Sequence, residues 1–226
     1  MTMIAKMREA EPIAPAAAIS RGRSAGFYRR SGKRLGDLLF VLLTAPVGIP
    51  LILMLALLVS LDGGKPFYSQ LRLGRGGRSY RMWKLRTMIP DADAALAAHL
   101  ERDPAAREEW SLKQKLERDP RVTRLGNFLR RTSLDELPQL WNVLIGDMSV
   151  IGPRPMLPEQ RRLYPCTAYF RLRPGITGAW QVSARNQSSF AKRAEYDRQY
   201  EAGLCFASDV KILLATGRVV LAGTGR

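Results

Sequence analysis

From Leu38 to Leu61 the chain runs 24 residues without a charge, bracketed by Asp37 and Asp62. As a straight helix this run would extend about 36 Å, enough to cross the hydrocarbon of a bilayer. It starts too late, runs too long and lacks the small-residue cleavage pattern of a secretory signal. Pro46 and Pro50 fall mid-run. Each removes a helical hydrogen bond and crowds the preceding turn, so a kink is expected within Thr44–Pro50.

Beyond Asp62 the pattern changes. Pro66–Leu73 and Ser79–Met88 are extended stretches around Gly74-Arg75-Gly76-Gly77, which is a β-hairpin signal. Asp91–Arg102 and Ala105–Leu116 are polar helices separated by Asp103-Pro104, an N-cap followed by a first-turn proline. Gly126–Arg131 leads into Ser133–Leu144, and a Gly/Pro-rich loop follows from Gly146 to Pro155. A turn-rich stretch, Arg173–Asn186, precedes a polar helix around Phe190–Gly203. The last segment, Asp209–Leu221, is amphipathic and suits either packing on the domain or a membrane interface. The expected fold is α+β and mostly helical: a flexible basic tail over 1–28, a juxtamembrane and membrane helix over 29–62, and a globular domain with a small hairpin over 63–226.

Charge bears on how the apolar run meets the membrane. Met1–Asp37 carries eight Lys/Arg against three Asp/Glu, and Asp62–Arg86 carries seven against one. A spanning helix would leave one of these basic flanks outside, against the positive-inside rule. A re-entrant helix keeps both inside, while a proline-kinked spanning helix stays open as the other reading. Arg29–Arg34 would then lie among the phospholipid headgroups.

Composition narrows the chemistry. The 226 residues suit one domain with appendages, and 36 Lys/Arg against 20 Asp/Glu give a net charge of +16, which predicts an anionic partner. The single histidine, His99, sits in a polar helix and reads as a surface residue. Cys166 and Cys205 are no disulfide framework, so a reducing compartment is expected. Chemistry therefore falls to carboxylates, arginines and a metal ion. Neither a phosphate-binding P-loop nor a dinucleotide fingerprint is present.

Ser133-x-x-Glu136 has the spacing of a capping box, which would make Asp135 an acidic residue at a helix N-terminus. Pro138 would then occupy the fifth helical position, so the helix start is either strained or displaced. The functional reading makes Asp135 a nucleophile toward phosphorus. Glu136, roughly 100° away on a helix, would take a metal or proton-transfer role. Arg130, Arg131 and Arg154 supply planar forks suited to phosphate, or ordinary surface salt bridges. The hairpin's Arg72, Arg81, Lys84 and Arg86, interleaved with Phe67, Tyr68, Tyr80 and Trp83, leave another reading: a membrane-anchored basic protein binding nucleic acid or anionic lipid without catalysis.

Ser133-Leu134-Asp135-Glu136-Leu137-Pro138-Gln139, followed by Gly146-Asp147-Met148-Ser149-Val150-Ile151-Gly152-Pro153-Arg154-Pro155, closely resembles the bacterial sugar transferases that begin exopolysaccharide assembly. These are small monotopic polyprenol-phosphate phosphoglycosyl transferases. Lys84-Leu85-Arg86-Thr87-Met88, Arg121-Val122-Thr123 and Arg173-Pro174-Gly175-Ile176-Thr177-Gly178 with Gln181-Val182 extend the match, which runs from about Lys33 to the C-terminus. Ala184 stands where the family usually has glycine, before Arg185-Asn186.

The resemblance implies a re-entrant helix broken at Ala45-Pro46 and an Asp135–Glu136 dyad holding Mg2+. It implies a site on the cytoplasmic face of the bacterial inner membrane. The substrates would be a UDP-sugar, galactose or glucose foremost, and undecaprenyl phosphate, with UMP released through a phosphosugar-aspartate intermediate. Arg130, Arg154, Lys84, Arg86 and Arg185 are then the candidate phosphate or substrate contacts. Membrane lipids are expected partners, nucleic acid is not, and self-association is left open.

Overall fold

The apolar run forms one helix. α1 spans Lys33–Ser60 and is led in by a π-helical stretch, Tyr28–Gly32. The computed structural model describes residues 26–113, 116–183 and 190–222, so the tail expected over 1–28 falls mostly outside the described residues, and residues 26–28 are already helical. The backbone stays helical through Ala45, Pro46 and Pro50. By length and composition the helix is long and apolar enough to cross a membrane, and only 11% of its most apolar window is buried. A core helix of a soluble domain would hide this surface; here Leu43 and Val47 are 77% and 73% exposed.

After α1 come β1 (Phe67–Leu73), β2 (Ser79–Leu85), α2 (Ala92–Arg102), α3 (Pro104–Lys113), α4 (Arg124–Thr132), α5 (Gln139–Ile145), β3 (Ser149–Ile151), α6 (Ala168–Arg171), β4 (Gly175–Thr177), α7 (Ala179–Ser183), α8 (Phe190–Ala202) and α9 (Phe206–Leu221). Among the described residues the fold is mostly helical with two small sheets, the β1–β2 hairpin and a parallel β3–β4 pair. Local chemistry accounts for several boundaries. The Asp103 carboxylate accepts from the Ala105 and Ala106 amides at 3.0 and 3.1 Å, and Pro104 opens α3, as the sequence predicts.

The elements sort into two compact units. One holds the described part of Met1–Phe40 with Leu71–Tyr80 and Val143–Gly217. Its core gathers Leu73, Met156, Tyr164, Tyr169 and Ala194. The Tyr169 hydroxyl donates to the Leu73 carbonyl at 2.5 Å and accepts from the Met156 amide at 3.2 Å, which pins the hairpin to the loop after β3. Two buried carboxylates tie down the start of α1. Asp37 accepts from the Ser149 hydroxyl and the Val150 amide, both at 2.9 Å. Asp209 accepts from Tyr28 at 2.6 Å, Lys33 at 2.7 Å and Tyr200 at 2.7 Å. A buried carboxylate is tolerated only when its lone pairs are met in this way.

The other unit holds Val41–Gln70, Arg81–Asn142 and the described part of Arg218–Arg226. Leu55, Ala56 and Val59 of α1 pack there with Leu85 of β2 and Leu129 of α4. The fully buried Asn142 side chain bridges α5 to β2, accepting from the Trp83 amide at 3.0 Å and donating to the Arg81 carbonyl at 2.8 Å. That clamp fixes the strand carrying Lys84.

Candidate active site

Three segments of the second unit converge on the Asp135–Glu136 pair. The pair sits in a single 3-10 turn, Leu134–Glu136, between α4 and α5. Leu134 and Leu137, three residues apart, pack against the Leu55–Val59–Leu85–Leu129 cluster. Docking both leucines leaves the two acidic residues between them facing Lys84 of β2. The Lys84 ammonium donates to Glu136 at 2.7 Å and lies 3.5 Å from Asp135. Asp135 is buried and Glu136 half-buried.

The capping-box reading of Ser133 is corrected by this geometry. Ser133 ends α4 rather than starting a helix, with φ at 57° and its amide on the Arg130 and Leu129 carbonyls. Its hydroxyl makes no capping bond, and Glu136 turns to Lys84 instead of back to Ser133. A left-handed serine is uncommon, and such strain gathers at functional sites. The difficulty at Pro138 resolves with it, because α5 begins only at Gln139.

Arg130 reaches the site from the last turn of α4, where its Nε donates to the Thr87 hydroxyl at 2.8 Å. The helix is held there by Thr123, whose hydroxyl caps it by accepting from the Gly126 amide at 2.8 Å and whose own amide bonds the Thr87 carbonyl at 3.1 Å. Burial pushes the Asp135 carboxyl above the usual carboxylate range. Lys84 and Arg130 pull it down and the charge of Glu136 adds to the rise. The site therefore holds a poorly solvated carboxyl whose burial is only partly offset by two cations.

Arg86, in the same unit, is held by other partners. All five N–H donors of Arg86 are committed, to the carbonyls of Lys65 and Met88 at 2.8 Å, that of Val59 at 3.0 Å, and both oxygens of Asp62. It closes the C-terminal end of α1. Arg154 belongs to the first unit, where it is exposed and its guanidinium lies 5.7 Å from the Trp180 ring centre. Arg193 flanks the same ring at 5.7 Å, donates to the Arg154 carbonyl and lies 4.0 Å from the buried Asp197. Burial pushes Asp197 up to about 6, against the pull of its Tyr164 hydrogen bond and Arg193. Arg185 lies outside the described residues. His99 is half-buried on α2.

Thr87, Asn142 and Trp180 carry positions in this architecture that sequence reasoning did not assign. Thr87 lay inside a noted motif, but only the fold brings it to Arg130, 43 positions away.

Mg2+ is bound through one or two carboxylates together with waters and substrate phosphate oxygens. Asp135 and Glu136 already share one cation, the Lys84 ammonium, so the donor set fits an ion completed by substrate. Among the described residues no cluster of three or more His, Cys, Asp or Glu offers an all-protein metal cage.

A family model described as bacterial sugar transferase matches residues 28–223. The UDP-galactose-lipid carrier transferase of Erwinia amylovora is 43% identical over 195 residues, covering 85% of this chain and 41% of that protein. The exopolysaccharide production protein ExoY of Rhizobium meliloti (strain 1021) is 42% identical over 193 residues, covering 84% of each. The undecaprenyl-phosphate galactose phosphotransferase of Salmonella typhimurium is 40% identical over 195 residues, covering 85% of this chain and 41% of that protein. The chain thus spans about two fifths of the Erwinia and Salmonella relatives and most of ExoY. With a match over that much of its length, and an acidic pair built into the turn that carries its most specific motif, the chain belongs to the bacterial sugar transferase family.

Proposed function

We propose that the protein is a membrane-associated phosphoglycosyl transferase. It moves a hexose 1-phosphate from a UDP-sugar to undecaprenyl phosphate on the cytoplasmic face of the inner membrane, as the first step of exopolysaccharide assembly. The observation that carries this reading is Asp135, a buried carboxylate beside Glu136 and between the cations Lys84 and Arg130. Galactose is favoured as the sugar by the names of the Erwinia and Salmonella relatives, with glucose the other donor to test.

In the first step an Asp135 oxygen forms a bond to the donor's β-phosphorus. The bond from that phosphorus to the oxygen bridging the two phosphates breaks, and UMP leaves with the electron pair. The phosphosugar is then held on Asp135 as an acyl phosphate. In the second step an oxygen of the lipid phosphate attacks the same phosphorus and the Asp135 carboxylate is restored. Lys84 and Arg130 offset the charge that builds on the phosphoryl oxygens. Asp135 and Glu136, with substrate oxygens, would hold Mg2+, which when bound supplies further charge neutralisation at phosphate. The leucines flanking the pair pack on α1, so a membrane-borne acceptor and a water-soluble donor can meet at this turn.

The test uses UDP-galactose and UDP-glucose labelled in the β-phosphate, with Mg2+ and no lipid acceptor. The expected result is label bound to Asp135 and discharged by undecaprenyl phosphate. UMP release that needs lipid and leaves no adduct would replace the two-step route with direct displacement. Neither adduct nor UMP release would return the protein to the binding-protein reading.

Lys84 offers a second check. Lys84→Met removes a cation that lowers the Asp135 carboxyl, so the acidic limb of the pH–rate profile should move to higher pH. Turnover should fall about 10²- to 10³-fold, the usual cost of one charge-stabilising group. An unmoved acidic limb would detach Lys84 from the ionisation of Asp135.

A further inference from the structure

The first unit contains a cleft of about 1010 Å³ that the transfer reaction does not use. It lies between the hairpin tip, the Gly146-Asp147 turn, the end of α6, Arg29 and Glu201. Five arginines line it, Arg29, Arg75, Arg78, Arg171 and Arg173, against two carboxylates, Asp147 and Glu201. None of these five is assigned to the phosphoryl chemistry at Asp135.

The excess positive charge is not met from within. Glu201 alone serves two of the arginines, accepting from Arg29 at 3.0 Å and from Arg171 at 2.5 and 2.6 Å. Arg173 reaches a neutral acceptor, the Gly146 carbonyl, at 2.9 Å. Burial pulls its guanidinium below the usual range, and the like charges of Arg34 and Arg75 add to that. Among the described residues the side chains of Arg75 and Arg78 make no hydrogen bond or ion pair, and both residues are exposed at the hairpin tip. Tyr80 lines the same wall, and its buried hydroxyl meets no acceptor among the described residues. Unopposed cations in a concave wall concentrate anions, and guanidinium forks match phosphate oxygens in shape and charge.

The cleft also has a defined place along the chain. Arg29 stands six residues before Leu35 and ten before Leu39, which are 56% and 48% exposed. That is about 9 and 15 Å along a helix axis, the distance from headgroup phosphates to the upper acyl region. We propose that this cleft is a binding site for a phosphate-bearing anion, with the headgroup of an anionic phospholipid as its occupant. The headgroup assignment rests on reading α1 as a membrane helix; the phosphate chemistry stands on the charge of the cleft alone.

The experiment uses the full chain in neutral detergent micelles doped with dioleoylphosphatidylglycerol or dioleoylphosphatidylcholine, and separately with inorganic phosphate or glycerol 3-phosphate. Melting temperature and the lipid retained in native mass spectrometry are the readouts. The expected result is retention of, and stabilisation by, phosphatidylglycerol but not phosphatidylcholine. Arg75→Glu/Arg78→Glu should weaken this at least tenfold while leaving basal turnover and the lipid-free melting temperature unchanged. A charge-matched control, Arg102→Glu/Arg118→Glu, should behave as wild type. A saturable response to the soluble phosphates that the tip variant loses, without a phosphatidylglycerol preference, would keep the phosphate site and replace its source. Equal lipid and phosphate responses in the tip variant and wild type would overturn the proposal. Asp135→Asn should keep the lipid response, so loss of the transferase reading and loss of this one are separable.

Discussion

Asp135→Asn is expected to lower turnover by at least about 10⁴-fold and to raise, not lower, the thermal stability of the protein. The first effect follows from chemistry: an amide cannot form the bond to phosphorus, and losing a covalent nucleophile is among the largest single-residue effects known. The second follows from burial. The folded-state carboxyl lies above its unfolded value, mainly through desolvation, so the folded chain binds more protons across that interval. Stability therefore falls as pH rises from the ordinary carboxylate value through the raised one. Asparagine carries no charge and removes that loss. The melting temperature should rise by about 2–4 °C for each kcal/mol recovered. The gain should be largest at neutral pH and shrink in acid. Retained turnover would sink the covalent mechanism. A lower melting temperature at neutral pH would mean that the Lys84 and Arg130 attractions outweigh desolvation.

Gly126→Ala should strongly destabilise the protein and lower turnover. A Cβ at this position would lie 2.0 Å from the Thr87 carbonyl oxygen and 2.7 Å from its carbon. Both are backbone atoms, so no side chain can turn aside to make room. The substitution must push α4 away from the segment after β2, breaking the bonds from Thr123 and Arg130 to Thr87. A loss of about 3 kcal/mol, at the upper end for overpacking, is expected. That corresponds to a fall of about 6–12 °C in melting temperature. Turnover should fall as well, because Arg130 leaves the site. Gly217→Ala is the matched control: nothing lies within 4 Å of its Cβ and it sits within α9, so helix propensity should stabilise the chain by up to about 1 kcal/mol. Equal melting temperatures for Gly126→Ala and wild type would show that the contact between α4 and Thr87 yields easily.

The sequence by itself determined the elements whose causes are local. An uncharged run between Asp37 and Asp62 dictates a long helix, and Gly74–Gly77 between extended stretches dictates a hairpin. Asp103-Pro104 dictates where α3 begins, because capping and the proline ring act within a few residues. The acidic pair alone carried little specificity; only the set of motifs around it, read together, marked the stretch.

What each polar group would meet was decided only by the tertiary structure. Ser133-x-x-Glu136 has the spacing of a helix start, and nothing local says that the serine ends the preceding helix. The docking of Leu134 and Leu137 on a cluster drawn from α1, β2 and α4 imposes the tight turn and the left-handed serine. Arg86 has the charge and motif of a phosphate ligand, yet Asp62, 24 positions earlier, and three carbonyls take all its donors. The cleft lined by Arg29, Arg75 and Arg173 joins residues from three distant stretches of chain. Backbone preference and side-chain periodicity act over one or two turns, whereas hydrogen-bond partners and clustered charge depend on which distant surfaces the hydrophobic core brings together.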